Sequence, residues 1–496
     1  MPDIGESFDS SQTTLNLIAV GYSLGLAASV IWLGAIGDRY GRKLMIVLGM
    51  SLSIPASLVA AFAPSDTVLF AARVVGGISA GLAYPTTLAL ITALWSGPGR
   101  TKAIALWSAL GGGIAALGPL VAGALLEYFD WGSVFLVTLP LVTVALPLAI
   151  YAVPSHVNET SDPVDNLGGI LSAVLVGALV LAINFMPVPN ETTLALALLV
   201  VALAATTAFF LRERRAKNPL YDLHVAARKT FWVAACAGII VFGSLMGAAF
   251  INQQYLQNVL GYSTFEAGAA ILPAVFCMVL VAPRSAKLVG SHGSRATLLA
   301  GQFFILLSFV GMFLLWHEDI PYWQVAIPLC FLGIGVGLAG TPSSNSLTGS
   351  VPVTRVGMAS GTADLQRDLG GALMTSIFGA LLTAGFASAM GTAIAESGKN
   401  VTDSTQSQLQ LSFASAENLA AKNPQYASQI TSAAQQSFLD GDRWAYTAAM
   451  FAVLTGMALV YFFFPRKEEE EELRASYHAV DAGAARAPGA PALEPS

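Results

Sequence analysis

The chain has 496 residues, of which 55% are hydrophobic and only 11% are charged, and its formal net charge is −6. A soluble domain carries about 25% charged residues, so this composition excludes a solvated globule and favours an all-α polytopic membrane protein. No basic patch indicates nucleic-acid binding, and the histidines and cysteines show no metal-ligand spacing. We therefore predict no nucleic-acid partner, no metal site and no cofactor.

Thirteen mostly apolar segments are long enough to cross a bilayer, which takes about 20 residues per helix. In chain order they are 14–36, 44–63, 67–94, 102–125, 133–153, 167–187, 193–211, 231–252, 267–283, 296–316, 323–345, 357–385 and 444–464. Lys and Arg concentrate in alternate loops, which are expected to be cytoplasmic. The same rule predicts a multi-pass protein of the plasma membrane with a cytoplasmic C-terminus.

Two segments are too polar to be spans. Residues 386–443 are rich in Ser, Gln and Asn with weak helical periodicity, and they are predicted to form a large external loop. Residues 465–496 begin with a charged block and continue in Ala, Gly and Pro, so a disordered cytoplasmic tail is expected.

The first basic loop carries the most specific motif in the chain. Its residues are Gly34, Gly37, Asp38, Arg39, Gly41, Arg42 and Lys43. The glycines permit a tight turn, and Asp38, at the end of a helix, can face the positive N-terminus of a neighbouring helix. An ordinary positive-inside loop is the alternative interpretation. A weaker copy at residues 290–295 indicates parallel half-repeats.

Two further features lie inside apolar spans. Arg73 is a charge within the span 67–94, where it is costly and by default functional or paired; snorkelling to the outer surface is the alternative. The span 102–125 contains Gly118, Pro119 and Gly123, whose small side chains and proline favour close helix packing and a bend. Generic packing of membrane helices would explain these three residues equally.

These motifs resemble the major facilitator superfamily. The first basic loop is similar to the family's signature loop, the buried arginine to its fourth-helix motif, and the Gly-Pro stretch to the fifth-helix motif of its proton-coupled exporters. Further stretches resemble the fourteen-helix drug/proton antiporter branch, namely 213–220, 255–263, 357–361 and 367–372. The resemblance implies two pseudo-symmetric helix bundles with two inserted helices. Together with the helix dipole, the position of the family's loop implies that Asp38 lies close to the N-terminus of the helix that starts near Gly357.

The same resemblance implies a division of the chain. Residues 1–153 would form the first bundle, 154–211 a linker and the inserted pair, and 212–464 the second bundle. Only one span precedes the loop motif in the first half, whereas two precede its copy in the second. We therefore expect the family's first helix to be missing from the sequence, with a natural thirteen-span protein as the alternative.

The function implied by the resemblance is proton-coupled export of drugs or other amphiphilic small molecules by alternating access. The implied partners are a small-molecule substrate, protons and the lipid bilayer, and a monomer is expected. Asp364 and Arg367 are candidates for coupling, although Asp364 could also be an ordinary interfacial residue. Candidates for lining a cavity between the halves are Trp32, Trp107, Asn252, Gln253 and Gln254.

Three other functions remain open. The chain could export one specific endogenous metabolite or lipid, or it could be a sensor that transports nothing. A membrane enzyme would need a cluster of His, Asp, Glu or Ser at membrane depth, and the spans show none. The sequence also lacks a nucleotide-binding loop, so no enzymatic activity and no direct use of ATP are predicted.

Overall fold

The computed structural model describes residues 4, 7–8, 12–155, 162–186, 188, 191–397 and 401–485. These residues form long helices joined by short connections, and no β-strand occurs among them. Large apolar side chains on the helices face outward, for example Leu141, Val144 and Tyr151 of the span 138–152. A surface of this kind suits lipid as the surrounding solvent.

Six helices of the first half lie between residues 12 and 152 of the described chain. They are α1 (Gln12–Tyr40), α2 (Arg42–Ala61), α3 (Asp66–Leu94), α4 (Gly97–Tyr128), α5 (Ser133–Leu136) and α6 (Thr138–Ala152). Gly41 joins α1 to α2 with a φ of 106°, a conformation that favours glycine. Ser65 begins α3, since its hydroxyl accepts a hydrogen bond from the Val68 N–H at 3.3 Å.

Two helices follow before the second half. They are α7 (Asn166–Phe185) and α8 (Thr192–Glu213), which pack against each other, and α7 also packs on α1. Asp165 caps α7 by accepting a hydrogen bond from the Gly168 N–H at 3.1 Å. The short α9 (Leu223–Ala226) then leads into the second half.

The second half begins with α10 (Lys229–Asn258), α11 (Thr264–Ala269), α12 (Leu272–Leu315) and α13 (Tyr322–Gly349). Within α12 the chain reverses direction at Gly293, where φ is 84°. The reversal is visible in the packing. Positions 333 and 337 of α13 face 274 and 278, whereas 335 and 339 face 305 and 301. The two parts of α12 therefore run antiparallel, as two separate spans.

The prediction of about thirteen spans is confirmed. Eleven helices in the described part of the chain are long and apolar enough to cross a membrane. One of them, Thr264–Leu315, holds two of the expected spans on either side of Gly293, and α4 covers the expected span 102–125. All thirteen expected segments therefore fall on helices.

The expected external segment 386–443 is more helical than its weak periodicity indicates, and its place outside the bilayer stays a prediction. It contains the end of α14 (Val356–Glu396), then α15 (Asp403–Leu411), α16 (Phe413–Lys422) and the start of α17 (Ala427–Phe463). These polar helices bury small apolar faces; Phe413, for instance, packs edge-to-face on Phe438 of α17 with ring centroids 6.0 Å apart. Tertiary packing therefore orders sequence that is too polar to span a bilayer.

The prediction of a disordered tail is wrong for the part that the structure describes. Residues Lys467–Ala485 form a helix, α18, and residues 486–496 lie outside the described part. The charges of α18 have partners on the second half. Glu470 accepts hydrogen bonds from the Ser294 N–H at 3.1 Å and the Ser294 hydroxyl at 2.7 Å. Asp481 pairs with Arg228 at 2.7 Å.

Candidate gating and coupling site

Asp38 joins the two halves at the end of the molecule that carries the basic loops, which we call the basic face. Its side chain is buried at the α1–α14 contact, with 4% of the residue exposed. One carboxylate oxygen accepts a hydrogen bond from the Gly357 N–H at 2.7 Å, and the other pairs with Arg42 at 3.0 Å. The expected contact between Asp38 and the N-terminus of α14 is thus confirmed.

Glycines bring the backbones of α1 and α14 into direct contact beside Asp38. A Cβ at Gly34 would lie 2.7 Å from the Gly357 carbonyl oxygen, which is closer than any real side chain comes. One turn deeper, a Cβ at Gly361 would lie 3.1 Å from the Val30 oxygen. Any side chain at position 34 would thus collide with α14, which explains the glycine there. Gly37 instead faces the side chain of Met45 on α2.

Arg39 and Lys43 take no part in this contact. Both side chains are half-buried, and the Arg39 guanidinium lies 5.3 Å from the centre of the neighbouring Tyr40 ring. The sequence-predicted loop motif therefore divides in two. Asp38, Arg42 and Gly34 form the contact, whereas Arg39 and Lys43 supply charge to the basic face.

Arg355, which the sequence analysis did not single out, ties the segment 214–222, which joins α8 to α9, to the same region. Its guanidinium donates to the Pro219 carbonyl at 3.0 Å and lies 3.9 Å from Asp222. Just before this segment, Arg212 in the last turn of α8 pairs with Asp165, the residue before α7, at 2.9 Å. Burial raises the pKa of Asp165, but hydrogen bonds from Arg212 and from backbone N–H groups outweigh it and lower the pKa.

Three charged side chains of α14 lie deeper in the contact between the halves. Asp364 is 4% exposed; one of its oxygens accepts from Arg367 at 3.2 Å, and the other has no partner among the described residues. A buried oxygen of Asp368 likewise has no partner in the part of the chain described. Carboxylates with unfilled acceptor positions at this depth are suited to binding a proton or a cation.

Arg367 touches both halves. Its guanidinium lies 4.4 Å from the ring centre of Trp107 on α4 and 4.9 Å from that of Phe242 on α10. Trp107 is held in place by a hydrogen bond from its indole N–H to the Thr87 hydroxyl at 3.0 Å. The structure therefore brings the predicted residues Asp364, Arg367 and Trp107 together.

Tyr22 of α1 and Tyr84 of α3 face this cluster from the first half, and the sequence analysis missed both, together with the role of Asp368. Tyr84 is close enough to Asp364 and Asp368 to interact with them electrostatically, and Tyr22 is close enough to Asp368. A periodicity signal could not identify them, because a tyrosine in a span is equally common at a lipid interface.

Arg73 is paired rather than free at the surface. Its guanidinium donates to the carbonyls of Ile18 and Ala19, each at 3.2 Å, and lies 5.4 Å from the centre of the Tyr22 ring. It lines a cavity of about 380 Å³ within the first half, to which Ser53 also contributes. The carbonyls and the ring supply the compensation that a charge in a span requires.

The Gly-Pro stretch of α4 contributes unevenly to the contact between halves. A Cβ at Gly123 would lie 3.4 Å from Phe265 of α11, whereas Gly118 has open space around it. The side chain of Pro119 lies outside the described residues. Gly112, which the sequence analysis did not select, is tighter, because a Cβ there would lie 2.9 Å from the Met278 methyl group.

The remaining predicted cavity residues do not join this site. The Trp32 indole N–H donates to the Asn166 side chain at 3.2 Å, and its ring packs on Gly169, so Trp32 faces the inserted α7. Asn252 is 1% exposed, and Gln253 and Gln254 are half-buried on α10. None of the five predicted residues lines the cavity of the first half.

Comparison with known proteins identifies the family. The model of the Major Facilitator Superfamily matches residues 1–375. The chain belongs to the major facilitator superfamily. It is therefore a multi-pass membrane transporter of small molecules, and the prediction of a transporter rather than an enzyme is confirmed.

Several relatives carry names that refer to drugs. The multidrug resistance protein Stp of Mycobacterium tuberculosis is 32% identical over 77% of this chain and 72% of its own length. The multidrug efflux pump LfrA of Mycolicibacterium smegmatis is 31% identical over 77% of this chain and 76% of its own. The methyl viologen resistance protein SmvA of Salmonella typhimurium is 31% identical over 78% and 79%, respectively. These names accord with the drug-antiporter branch that the motifs resemble.

Proposed function

We propose that this transporter is a proton-coupled exporter of drugs or other amphiphilic small molecules that works by alternating access. The observation that carries the proposal is the cluster of Asp364, Arg367 and Asp368 on α14, between the two halves. The names of the relatives support the substrate class.

Coupling would follow from the balance of charge in this cluster. A proton that binds Asp364 neutralises the carboxylate that pairs with Arg367, whose side chain is 27% exposed. The guanidinium keeps its contacts with Trp107 and Phe242, but the lost ion pair costs free energy. Movement of α14 that lets Arg367 find a new partner relieves this cost. Proton binding and helix movement are therefore linked through one ion pair.

Substrate would compete with the proton for the same place. Trp107 and Phe242 flank Arg367 with flat apolar surfaces, and the unpartnered oxygens of Asp364 and Asp368 offer negative charge. A flat, cationic amphiphile fits this combination of rings and carboxylates. Export then needs one of the two ligands to leave before the other binds.

Gating would take place at the basic face, where the Asp38–Gly357 contact holds the halves together. Opening toward this face requires that contact to break, while the deeper cluster senses whether a proton is bound. The proposed orientation has the basic face and C-terminus in the cytoplasm of the plasma membrane. We further propose a monomer with the bundles 1–153 and 212–464, and with 154–211 as the inserted unit.

Transport by the full chain in liposomes tests the proposal. A cationic amphiphilic dye should move against its gradient when a proton gradient is imposed, and the movement should stop when an ionophore collapses that gradient. Asp364→Asn and Asp368→Asn should each reduce coupled transport, whereas Asp440→Asn, in an exposed ion pair with Arg443, should not. Dye movement that ignores the proton gradient, or equal loss in all three variants, contradicts the proposal.

A further inference from the structure

The second contact at the basic face carries an unbalanced positive charge. It lies between Arg100, at the start of α4 in the first half, and Arg474 of α18, which is docked on the second half. A Cβ at Gly349, the last residue of α13, would lie 2.9 Å from Nη2 of Arg100 and 3.5 Å from Cζ of Arg474. The two guanidinium groups therefore meet at one glycine.

Neighbouring charges compensate only one of these two cations. Glu470 pairs with Arg474 at 2.6 Å, and Asp481 is already paired with Arg228. The guanidinium of Arg100 makes no hydrogen bond or ion pair among the described residues. The buried Nε of Arg474 also has no partner in that part of the chain. The C-terminus of α13 adds only a partial negative charge. One positive charge remains.

Arg474 is held in a fixed position. Besides its ion pair with Glu470, it lies 3.4 Å from the Ser346 hydroxyl of α13. Glu470 is anchored in turn by Ser294, and Arg228 holds the far end of α18 through Asp481 and the ring of Tyr477, whose centre is 4.6 Å away. The side chain is therefore presented to Arg100 by a docked helix rather than by a free tail.

We propose that Arg100 and Arg474 bind a phosphate group between the two halves, and that the headgroup of an anionic phospholipid is its source. The unpaired Arg100 guanidinium, next to that of Arg474, suits a tetrahedral oxyanion. A phosphodiester carries one negative charge, which balances the one charge left over. Both arginines lie against Gly349, the last residue of the span Tyr322–Gly349, at the depth of lipid headgroups.

The half-repeat explains why a ligand is needed here. At the first contact the protein supplies its own anion, Asp38, near the end of α1. The position that corresponds to Asp38 in the weaker copy of the motif is Gly290, which has open space around it. The chain thus provides a carboxylate for the cations of the first contact, whereas at the second contact the carboxylate of Glu470 is already paired with Arg474. The bound phosphate would complete the second contact.

Binding to the purified full chain tests this site and needs no transport. Thermal unfolding in detergent is followed during titration with phosphatidylglycerol, phosphatidylcholine or inorganic phosphate. Arg100→Gln and Arg474→Gln should each weaken phosphatidylglycerol binding about tenfold, because each removes charge-assisted hydrogen bonds. Arg215→Gln removes an exposed arginine elsewhere on the basic face and should leave binding unchanged.

A further variant separates ligand binding from mere support of α18. Glu470→Gln removes the carboxylate that competes with the ligand for Arg474, so phosphatidylglycerol should bind more tightly although the protein alone is less stable. Stabilisation by inorganic phosphate that is equally sensitive to the two arginines assigns the site to free phosphate. Equal weakening in all arginine variants, or no effect of any ligand or variant, overturns the site.

Discussion

At α1 the first half meets α14 through a buried carboxylate, two glycines and a backbone N–H, whereas at α4 it meets α13 and α18 through two guanidinium groups. The first contact is complete within the chain, since Asp38 has both a helix N-terminus and Arg42 as partners. The second has excess positive charge. The two contacts therefore differ in chemistry, although both lie at the same face of the molecule.

This difference implies that the two halves are held together at the basic face by one contact that needs only the chain itself, and by a second contact that needs a bound anion. Breaking the Asp38 contact should reduce transport in a membrane of any lipid composition. Changes at Arg100 or Arg474 should matter only where an anion is present. The predictions below test this contrast, beginning with the largest expected effect.

Asp38→Asn should have the largest effect on transport. The substitution removes a buried charge from Arg42 and weakens the hydrogen bond to Gly357, which costs about 3 kcal/mol in a buried pair. We expect a strong loss of dye transport in liposomes with normal membrane insertion. Unchanged transport would show that the contact does not gate the molecule.

Gly34→Ala should have the next largest effect on transport. Its Cβ would lie 2.7 Å from the Gly357 carbonyl oxygen, so α1 and α14 must move apart at a cost of about 1–3 kcal/mol. Gly118→Ala is a matched control, because its Cβ meets nothing within 4 Å. Transport and cysteine accessibility at the basic face are the measurements. Similar effects of the two substitutions would argue against a steric role for Gly34.

Sequence patterns predicted much of the first contact and little of the second. Hydropathy located the spans, and the helix dipole together with the position of the family's loop placed Asp38 at Gly357. The pairing of Arg100 with Arg474 depends on α18, whose charged sequence is typical of a solvated tail until Ser294 and Arg228 supply partners. Trp32, proposed to line a cavity between the halves, faces the inserted α7 instead, because periodicity does not say which neighbour a given face of a helix will meet.

Arg228→Gln should weaken the docking of the far end of α18 on the second half by about 1–2 kcal/mol. The guanidinium bonds both Asp481 and the Ser350 carbonyl, and these contacts are partly shielded from water. Trypsin should then cleave more quickly after Arg474. Arg215→Gln, with no such contacts among the described residues, is the control, and equal cleavage rates would contradict docking through Arg228.

Asp165→Asn should have the smallest effect, below about 1 kcal/mol at pH 7, because its partner Arg212 is 41% exposed. The pKa of Asp165 is lowered in the folded protein, so its contribution is present above the ordinary value of 3.8 and is lost in more acid solution. The stability difference between Asp165→Asn and the unchanged protein should therefore disappear at low pH. A difference that grows on acidification would reverse the assigned sign.

The length of α14 gives the molecule a lever arm. Its 41 residues extend for about 60 Å, twice the hydrocarbon thickness of about 30 Å, and α17 accompanies its outer part through the close approach of Gly385 and Gly441. A tilt of about 10° around Asp364 would displace the outer end of the helix at Glu396, about 48 Å away, by about 8 Å. Small rotations near Asp364 would thus be magnified beyond the bilayer, where a fluorescent label could follow each transport cycle.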